Sequence, residues 1–259
     1  MQVLACQFDI AWEDEAANYA RVRALVDAAD PQPGSLLVLP EMFATGFSMH
    51  VDSIAETVDG PTQAFLSALA AEHRCYVVAG VVTRHPDGRG RNEAVVIDPT
   101  GREIARYCKL HPFTLGGESL AFVAGNEIVV LPIGPLLVAP TICYDLRFPE
   151  TYRRIAQRGA QLVLVIASWP IARVSHWRAL LVARAIENQA YVVGVNRIGR
   201  DPHLAYNGQS LIVDPGGRIL ADAEDGERVI SAELELEPLL AYRRDLPFLA
   251  DIRAEDVTG

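Results

Sequence analysis

Three residues whose types suit acyl-transfer chemistry, Glu41, Lys109 and Cys143, occupy the same kind of place in the sequence. Each lies at or just past the end of a strand-like segment: Leu36-Leu37-Val38-Leu39 before Glu41, residues 103–108 before Lys109, and Leu136-Leu137-Val138-Ala139-Pro140-Thr141-Ile142 before Cys143. They are separated by 68 and 34 residues, so only a fold can bring them together. The C-terminal end of a sheet is where α/β proteins bind ligands. Converging there, the three would supply a base, a fixed positive charge and a nucleophile, a set sufficient for acyl transfer from an amide.

Each residue alone has a plainer explanation. A cysteine after an apolar run is commonly a small core residue, a glutamate after a short strand is commonly solvated, and a lysine at a strand end commonly sits on a wet edge. The stretch around Cys143 adds detail. It reads as a buried strand, a sharp turn carrying the cysteine, and a helix start at Pro149, where a missing N–H is no loss. A thiol on that turn has free backbone N–H groups and a helix N-terminus nearby, an environment expected to favour the thiolate and able to hold an oxyanion.

The elements that must position these residues alternate along the chain. A first strand over residues 2–8 precedes a helix over 14–29, with Ala17, Ala20, Val22, Ala24, Leu25 and Val26 towards a core. After the break at Pro31-Gln32-Pro33-Gly34 comes a short strand over 35–39, then a long loop over 42–58 whose Phe43 and Phe47 are of the kind that line a pocket. A proline-started helix over 61–73 is followed by strands over 75–83, 91–97 and 103–108. The turns Pro86-Asp87-Gly88 and Pro99-Thr100-Gly101 separate those strands and imply antiparallel pairing.

Strands over 127–131 and 136–142 then reach the turn at Cys143, and a helix over 150–158 and a strand over 161–167 complete that unit. Ser168-Trp169-Pro170 again lies past a strand end. A helix from Ser175 presents His176, Leu180, Ala183, Ile186 and Ala190, and a strand over 191–196 precedes a polar loop. A hairpin over 210–220, a strand over 228–234 and a short helix close the chain. Without linkers, repeats or low-complexity segments, the expectation is one domain over residues 1–259, in the α/β class, with two mixed sheets packed together and helices outside.

Composition narrows the function classes. Half the residues are hydrophobic and 22% are charged, so a packed core rather than extended disorder is expected. A formal charge of −10 without Lys/Arg clusters argues against nucleic-acid binding. The first residues show neither a basic region nor a long apolar core, and no uncharged apolar stretch approaches the roughly 18 residues of a membrane span, so a cytoplasmic protein with no membrane partner is expected. The four cysteines, Cys6, Cys75, Cys108 and Cys143, are far apart with no CxxC pair, which suggests neither a metal site nor a disulfide framework.

Pro40-Glu41-Met42, Tyr107-Cys108-Lys109-Leu110-His111-Pro112-Phe113 and Cys143-Tyr144-Asp145-Leu146-Arg147-Phe148-Pro149-Glu150 resemble, in order and spacing, the glutamate, lysine and cysteine motifs of the nitrilase superfamily of carbon–nitrogen hydrolases. Glu118, after Gly116-Gly117, resembles the second glutamate of many members. Residues 41–47, Ser168-Trp169-Pro170 and residues 183–197 are similar to the omega-amidase branch, which hydrolyses 2-oxoglutaramate and 2-oxosuccinamate to the dicarboxylic oxo acid and ammonia. The resemblance implies a four-layer αββα sandwich, a homodimer or larger homo-oligomer, and chemistry that needs no metal or organic cofactor.

It also implies roles. Cys143 would be the nucleophile, Glu41 the base, Lys109 with the Tyr144 N–H the oxyanion donors, and Glu118 the residue that holds Lys109. For a substrate carboxylate, Arg173 is the first candidate cation and His176 the second, while Arg147 is expected to pair with a neighbouring acid. Phe43, Phe113, Tyr144 and Trp169 are candidate pocket walls. Three alternatives stay open: another amidase of the superfamily (an N-carbamoyl hydrolase, a deaminated-glutathione amidase or a nitrilase), a Cys–His hydrolase using His111 or His176, and a binding protein on the same fold.

Overall fold

Strand alternation decides how the layers stack. In β1 (Gln2–Gln7), Val3 and Ala5 point one way and Leu4 and Cys6 the other. In β2 (Leu36–Val38), Leu36 and Val38 oppose Leu37. Every one of these side chains is buried, as expected for strands covered on both faces. One set meets a second sheet; the other meets α1 (Glu15–Ala29) and α3 (Pro61–His73) through Val22, Val26, Leu66 and Leu69. The computed structural model describes residues 1–253.

The first sheet has the order β14-β1-β2-β3-β4-β5. Here β1, β2 and β3 (Tyr76–Arg84) are parallel, while β4 (Gly90–Ile97), β5 (Glu103–Cys108) and β14 (Arg228–Glu233) pair antiparallel to their neighbours. The second has the order β13-β12-β9-β8-β7-β6. Its parallel centre is β7 (Leu136–Ile142), β8 (Leu162–Ala167) and β9 (Tyr191–Asn196), with β6 (Leu131–Ile133), β12 (Leu211–Val213) and β13 (Ile219–Asp222) antiparallel at the edges. The helices α5 (Pro149–Gln157) and α6 (Val174–Asn188) lie on its outer face, where Tyr152 bonds Thr141 and the side chains of Leu181 and Trp177 press on Gly194. Short helices α2 (Val51–Ile54) and α4 (Glu118–Ala121), a β10 (Ile198–Arg200)–β11 (Ala205–Asn207) ribbon and α7 (Leu236–Asp245) complete the α/β sandwich.

Several expectations need correction. On α1 the inward face carries Asn18, Val22 and Val26, while Ala17, Ala20 and Ala24 are exposed. Asn18 earns its buried place by bonding both polar groups of Ala11 and the Ala44 carbonyl, which braces the loop after Glu41. On α6 the buried stripe is Trp177, Leu181, Arg184, Ala185 and Asn188, not the stripe through His176, Leu180, Ala183 and Ile186. Adjacent apolar residues at 180 and 181 allow either face, and the face chosen contains a polar Arg184 whose Nη2 caps the Leu146 carbonyl at 2.8 Å. The strand expected over 127–131 begins at Leu131, the loop over 42–58 contains α2, and the polar loop after β9 contains the β10–β11 ribbon. No helix among the described residues is long and apolar enough to cross a membrane.

Candidate active site

The parallel strands end on one side of the sandwich, and that edge gathers the expected residues. Glu41 follows β2, and its backbone is clasped by β3: the Gly80 N–H donates to the Pro40 carbonyl at 3.1 Å and the Gly80 carbonyl accepts from Phe43 at 3.2 Å. Lys109 follows β5, which runs parallel to β2 after two reversals. Cys143 follows β7 with φ +45°, a left-handed conformation that turns the chain sharply and is rare for a residue with a Cβ. A single 3₁₀ segment over Cys143–Arg147 separates it from α5.

Glu41, Lys109 and Glu118 form one buried cluster, none more than 1% exposed. The Lys109 ammonium donates to Glu41 Oε1 at 2.8 Å and to Glu118 Oε2 at 2.8 Å and Oε1 at 3.1 Å. Glu118 Oε2 also accepts the Phe113 N–H, and Gly117, at φ +77°, makes the turn that brings Glu118 inward. Burial alone would lower the proton affinity of Lys109, yet Glu118 and Glu41 hold it above its ordinary value, so it is a fixed cation. Burial, with Glu41 repulsion behind it, raises the Glu118 pKa against the pull of Lys109. The solvated alternatives for Glu41 and Lys109 do not hold.

Cys143 departs from expectation in its charge. Burial and the nearby Glu41 push its thiol well above the ordinary range; Lys109 and the Ser168 N–H oppose them without prevailing. With one 3₁₀ turn after it rather than a long helix, the dipole contribution is weak. A thiol held in that state would need an acceptor for its proton before it could act as a nucleophile.

A cavity opens on Cys143. Phe47, Phe113, Tyr144 and Trp169 line it, with Arg147, Arg173 and Ser168. Arg147 does not pair with an acid: its guanidinium stacks over Trp169 at 4.8 Å and reaches His176 Nδ1 at 3.3 Å. Arg173 lies over Phe113 at 5.4 Å. Neither arginine has a carboxylate partner among the described residues. His176 is exposed and does not line the cavity. Phe43 is misplaced by the sequence reading; it is fully buried against Tyr19 and Phe65, on the α1/α3 side of the first sheet.

Three participants were missed. Asn92, on β4, donates to both Glu41 and Glu118. The Ser168 backbone N–H donates to Glu41 Oε2 at 2.8 Å. Asp145 accepts from the Ile142 N–H, the Tyr107 hydroxyl and His111, tying the turn at Cys143 to the segment around Lys109. His111 is thus engaged by Asp145 and stacked on Phe148 at 3.7 Å, and it does not line the cavity. A Cys–His pair therefore has no geometric support. Among the described residues no cluster of His, Cys, Asp and Glu could hold a metal ion.

The carbon–nitrogen hydrolase family profile matches residues 2–244. The chain is similar to a 2-oxoglutaramate amidase of Bacillus subtilis, 34% identical over 96% of both chains, and to an omega-amidase, YafV, of Yersinia enterocolitica, 38% identical over 97% of this chain and 96% of that one. Among solved structures it is similar to a carbon–nitrogen hydrolase superfamily protein of Xanthomonas campestris with an arsenic adduct in its active site. That likeness has a TM-score of 0.92 at 32% identity, covering 98% of this chain and 97% of that one.

Proposed function

The chain belongs to the carbon–nitrogen hydrolase family and is a hydrolase of amide carbon–nitrogen bonds, and from that premise we propose that it removes the terminal amide of a small omega-amido 2-oxo acid, 2-oxoglutaramate or 2-oxosuccinamate. The observation that carries the substrate class is the pair of arginines. Arg147 and Arg173 face the cavity that opens on Cys143, and neither is neutralised by an acid among the described residues. Charges partly removed from water seek a counter-ion, and a carboxylate at the far end of a short amide supplies one. The relatives named as 2-oxoglutaramate amidase and omega-amidase support the same class.

In the proposed scheme the Cys143 sulfur attacks the amide carbon while Glu41 takes the thiol proton. The oxyanion is held by the Lys109 ammonium and the Tyr144 N–H. Collapse expels ammonia, which receives the proton from Glu41, and leaves a thioester on Cys143. Glu41 then takes a proton from water, whose oxygen attacks the thioester to release the carboxylic acid and the thiol. Glu118 keeps Lys109 in place and moves no proton. The scheme uses neither metal nor organic cofactor. A single domain over residues 1–259, a cytoplasmic setting and a homodimer or larger homo-oligomer belong to the same proposal; light scattering tests the last.

The test is ammonia release from 2-oxoglutaramate, 2-oxosuccinamate, an N-carbamoyl amine and a simple nitrile by wild type, Cys143→Ala, Arg147→Ala and Arg173→Ala. Cys143-dependent turnover restricted to the oxo-acid amides is expected. Each arginine variant should raise KM about 10- to 100-fold, the loss of a charged hydrogen bond of about 1.5–3 kcal/mol. Preferred turnover of the carbamoyl compound or the nitrile overturns the substrate.

A further inference from the structure

We propose that Asn92 is a positioning residue that fixes which oxygen of Glu41 receives the thiol proton. Its side-chain amide is 1% exposed and spends both N–H bonds on acids, one to Glu41 Oε1 at 2.8 Å and one to Glu118 Oε1 at 2.7 Å. Its Oδ1 is buried with no partner among the described residues. That orphan acceptor defines the orientation, because a flipped amide would aim an oxygen at two carboxylate oxygens and leave the donors unused.

The consequence falls on Glu41. Oε1 accepts from both Asn92 and the Lys109 ammonium, whereas among the described residues Oε2 accepts only the Ser168 N–H. Ser168 lines the same cavity as Cys143, so Oε2 is the oxygen held on the cavity side. Oε2 is therefore the oxygen with a free lone pair on the nucleophile's side, and Oε1 is saturated. Asn92 and Lys109 thus place two donors on Oε1, and hydrogen bonds of that kind favour the ionised form of a carboxylate. The charged and titratable groups facing Glu41 are Lys109 after β5, Glu118 on α4, the Cys143 thiol after β7 and, more remotely, Tyr206 on β11. Asn92, from β4, is the neutral donor that lets two carboxylates share one ammonium.

The inference rests on Glu41 being the base, and the experiment separates the two. Cys143 alkylation by iodoacetamide, followed by peptide mass against pH, needs no substrate; ammonia release from 2-oxoglutaramate runs beside it. Wild type is compared with Asn92→Asp, Asn92→Ala, Asn92→Ser and Glu41→Gln, each checked for folding by circular dichroism. Asn92→Asp keeps the shape but removes the donors, so it should be the worst. Its acidic limb should move up by about one pH unit and its neutral alkylation rate fall about tenfold, with kcat falling more than KM changes. Asn92→Ala should be intermediate, and Asn92→Ser, with one donor, nearest to wild type. A packing role makes the isosteric aspartate mildest and leaves alanine and serine, nearly equal in volume, alike, and that pattern, or unmoved limbs, overturns the proposal. If Asn92→Asp does not fold, the order of Ala and Ser decides. Glu41→Gln with a normal rate and limb removes the base assignment itself; Glu41→Gln inactive with Asn92→Asp normal removes only the role of Asn92.

Discussion

Asp145, two residues after Cys143, accepts two hydrogen bonds from His111, two residues after Lys109: the backbone N–H at 3.0 Å and ring Nδ1 at 2.8 Å, both on Oδ1. Its other oxygen takes the Tyr107 hydroxyl at 2.7 Å and the Ile142 N–H at 3.0 Å. One buried carboxylate thus joins the end of β5 in the first sheet to the end of β7 in the second. Tyr107 and His111 flank Lys109, so the bond network sets where the ammonium stands relative to the sulfur.

Asp145→Asn tests that linkage. The amide keeps the shape but turns one acceptor into a donor facing donors. Urea unfolding should show a loss of about 1–3 kcal/mol, and kcat should fall at least tenfold with Glu41, Lys109 and Cys143 all intact. A destabilised variant with wild-type kcat would show that Asp145 supports the fold without placing the ammonium.

This linkage also marks what the sequence could and could not disclose. Glu41, Lys109 and Cys143 were legible because each ends a strand, and strands running in register put such ends at one edge. Asn92 was not, since an asparagine beside Arg91 and Glu93 in a strand reads as one more polar residue; its only signal was the general rarity of asparagine within strands. Ser168 acts through its backbone, which no residue type announces. Arg147 was given an acid partner because exposed acids are common, and only packing shows that it meets Trp169 instead. On α6 the error was a face rather than an element; on α1 Val22 and Val26 face the core as expected, and the error was to turn Ala17, Ala20 and Ala24 inward with them. Asn18 and Arg184 are buried because carbonyls await them, and periodicity counts them as polar.

Removing the cation should reverse the usual pH trend of stability. In Lys109→Met the carboxylates of Glu41 and Glu118 stay buried without their counter-charge, a loss of about 3–5 kcal/mol near neutrality. The fold then binds a proton more tightly than the unfolded chain, whose glutamates titrate near about 4.3. The folded affinity being raised, the variant is best supported below that value and weakens as pH rises through the folded one. Urea unfolding at pH 5 and 7.5 should show the larger deficit at 7.5, partly repaired by adding Glu118→Gln. An equal deficit at both pH values would mean that the cluster is not charged as described.

The thiol at Cys143 predicts behaviour at alkaline pH. Burial and Glu41 raise it, so the folded chain keeps a proton that an unfolded cysteine releases above about 8.5. More protons bound in the folded state means that stability declines as pH increases beyond that point, by up to about 1.4 kcal/mol per pH unit for one group. Burial likewise raises Cys75 to about 11 and Cys108 to about 12, and they add to the slope. Cys143→Ala should therefore unfold with a shallower pH dependence between pH 8.5 and 10 than wild type, by as much as one proton. Parallel curves would place the thiolate, not the thiol, in the resting site.

Gly80 offers a way to disturb Glu41 without altering any side chain of the cluster. A Cβ at this position of β3 would lie 2.5 Å from both the Glu41 Cα and the Met42 nitrogen, closer than any real Cβ contact, and backbone cannot swing aside as a flexible side chain can. The Gly80 N–H and carbonyl already hold Pro40 and Phe43, so the added methyl must push the whole Pro40–Phe43 turn away from the strand. Glu41 would then lose alignment with the Ser168 N–H at Oε2 and with Lys109 at Oε1. Displacement of a reacting group by about 1 Å costs on the order of 100-fold in rate, so Gly80→Ala should lower kcat to that extent. KM should hold, because the arginines lie on the other sheet's loops. Gly80→Ala that folds and keeps more than about half of wild-type kcat would contradict this coupling between β3 and the proposed base, Glu41.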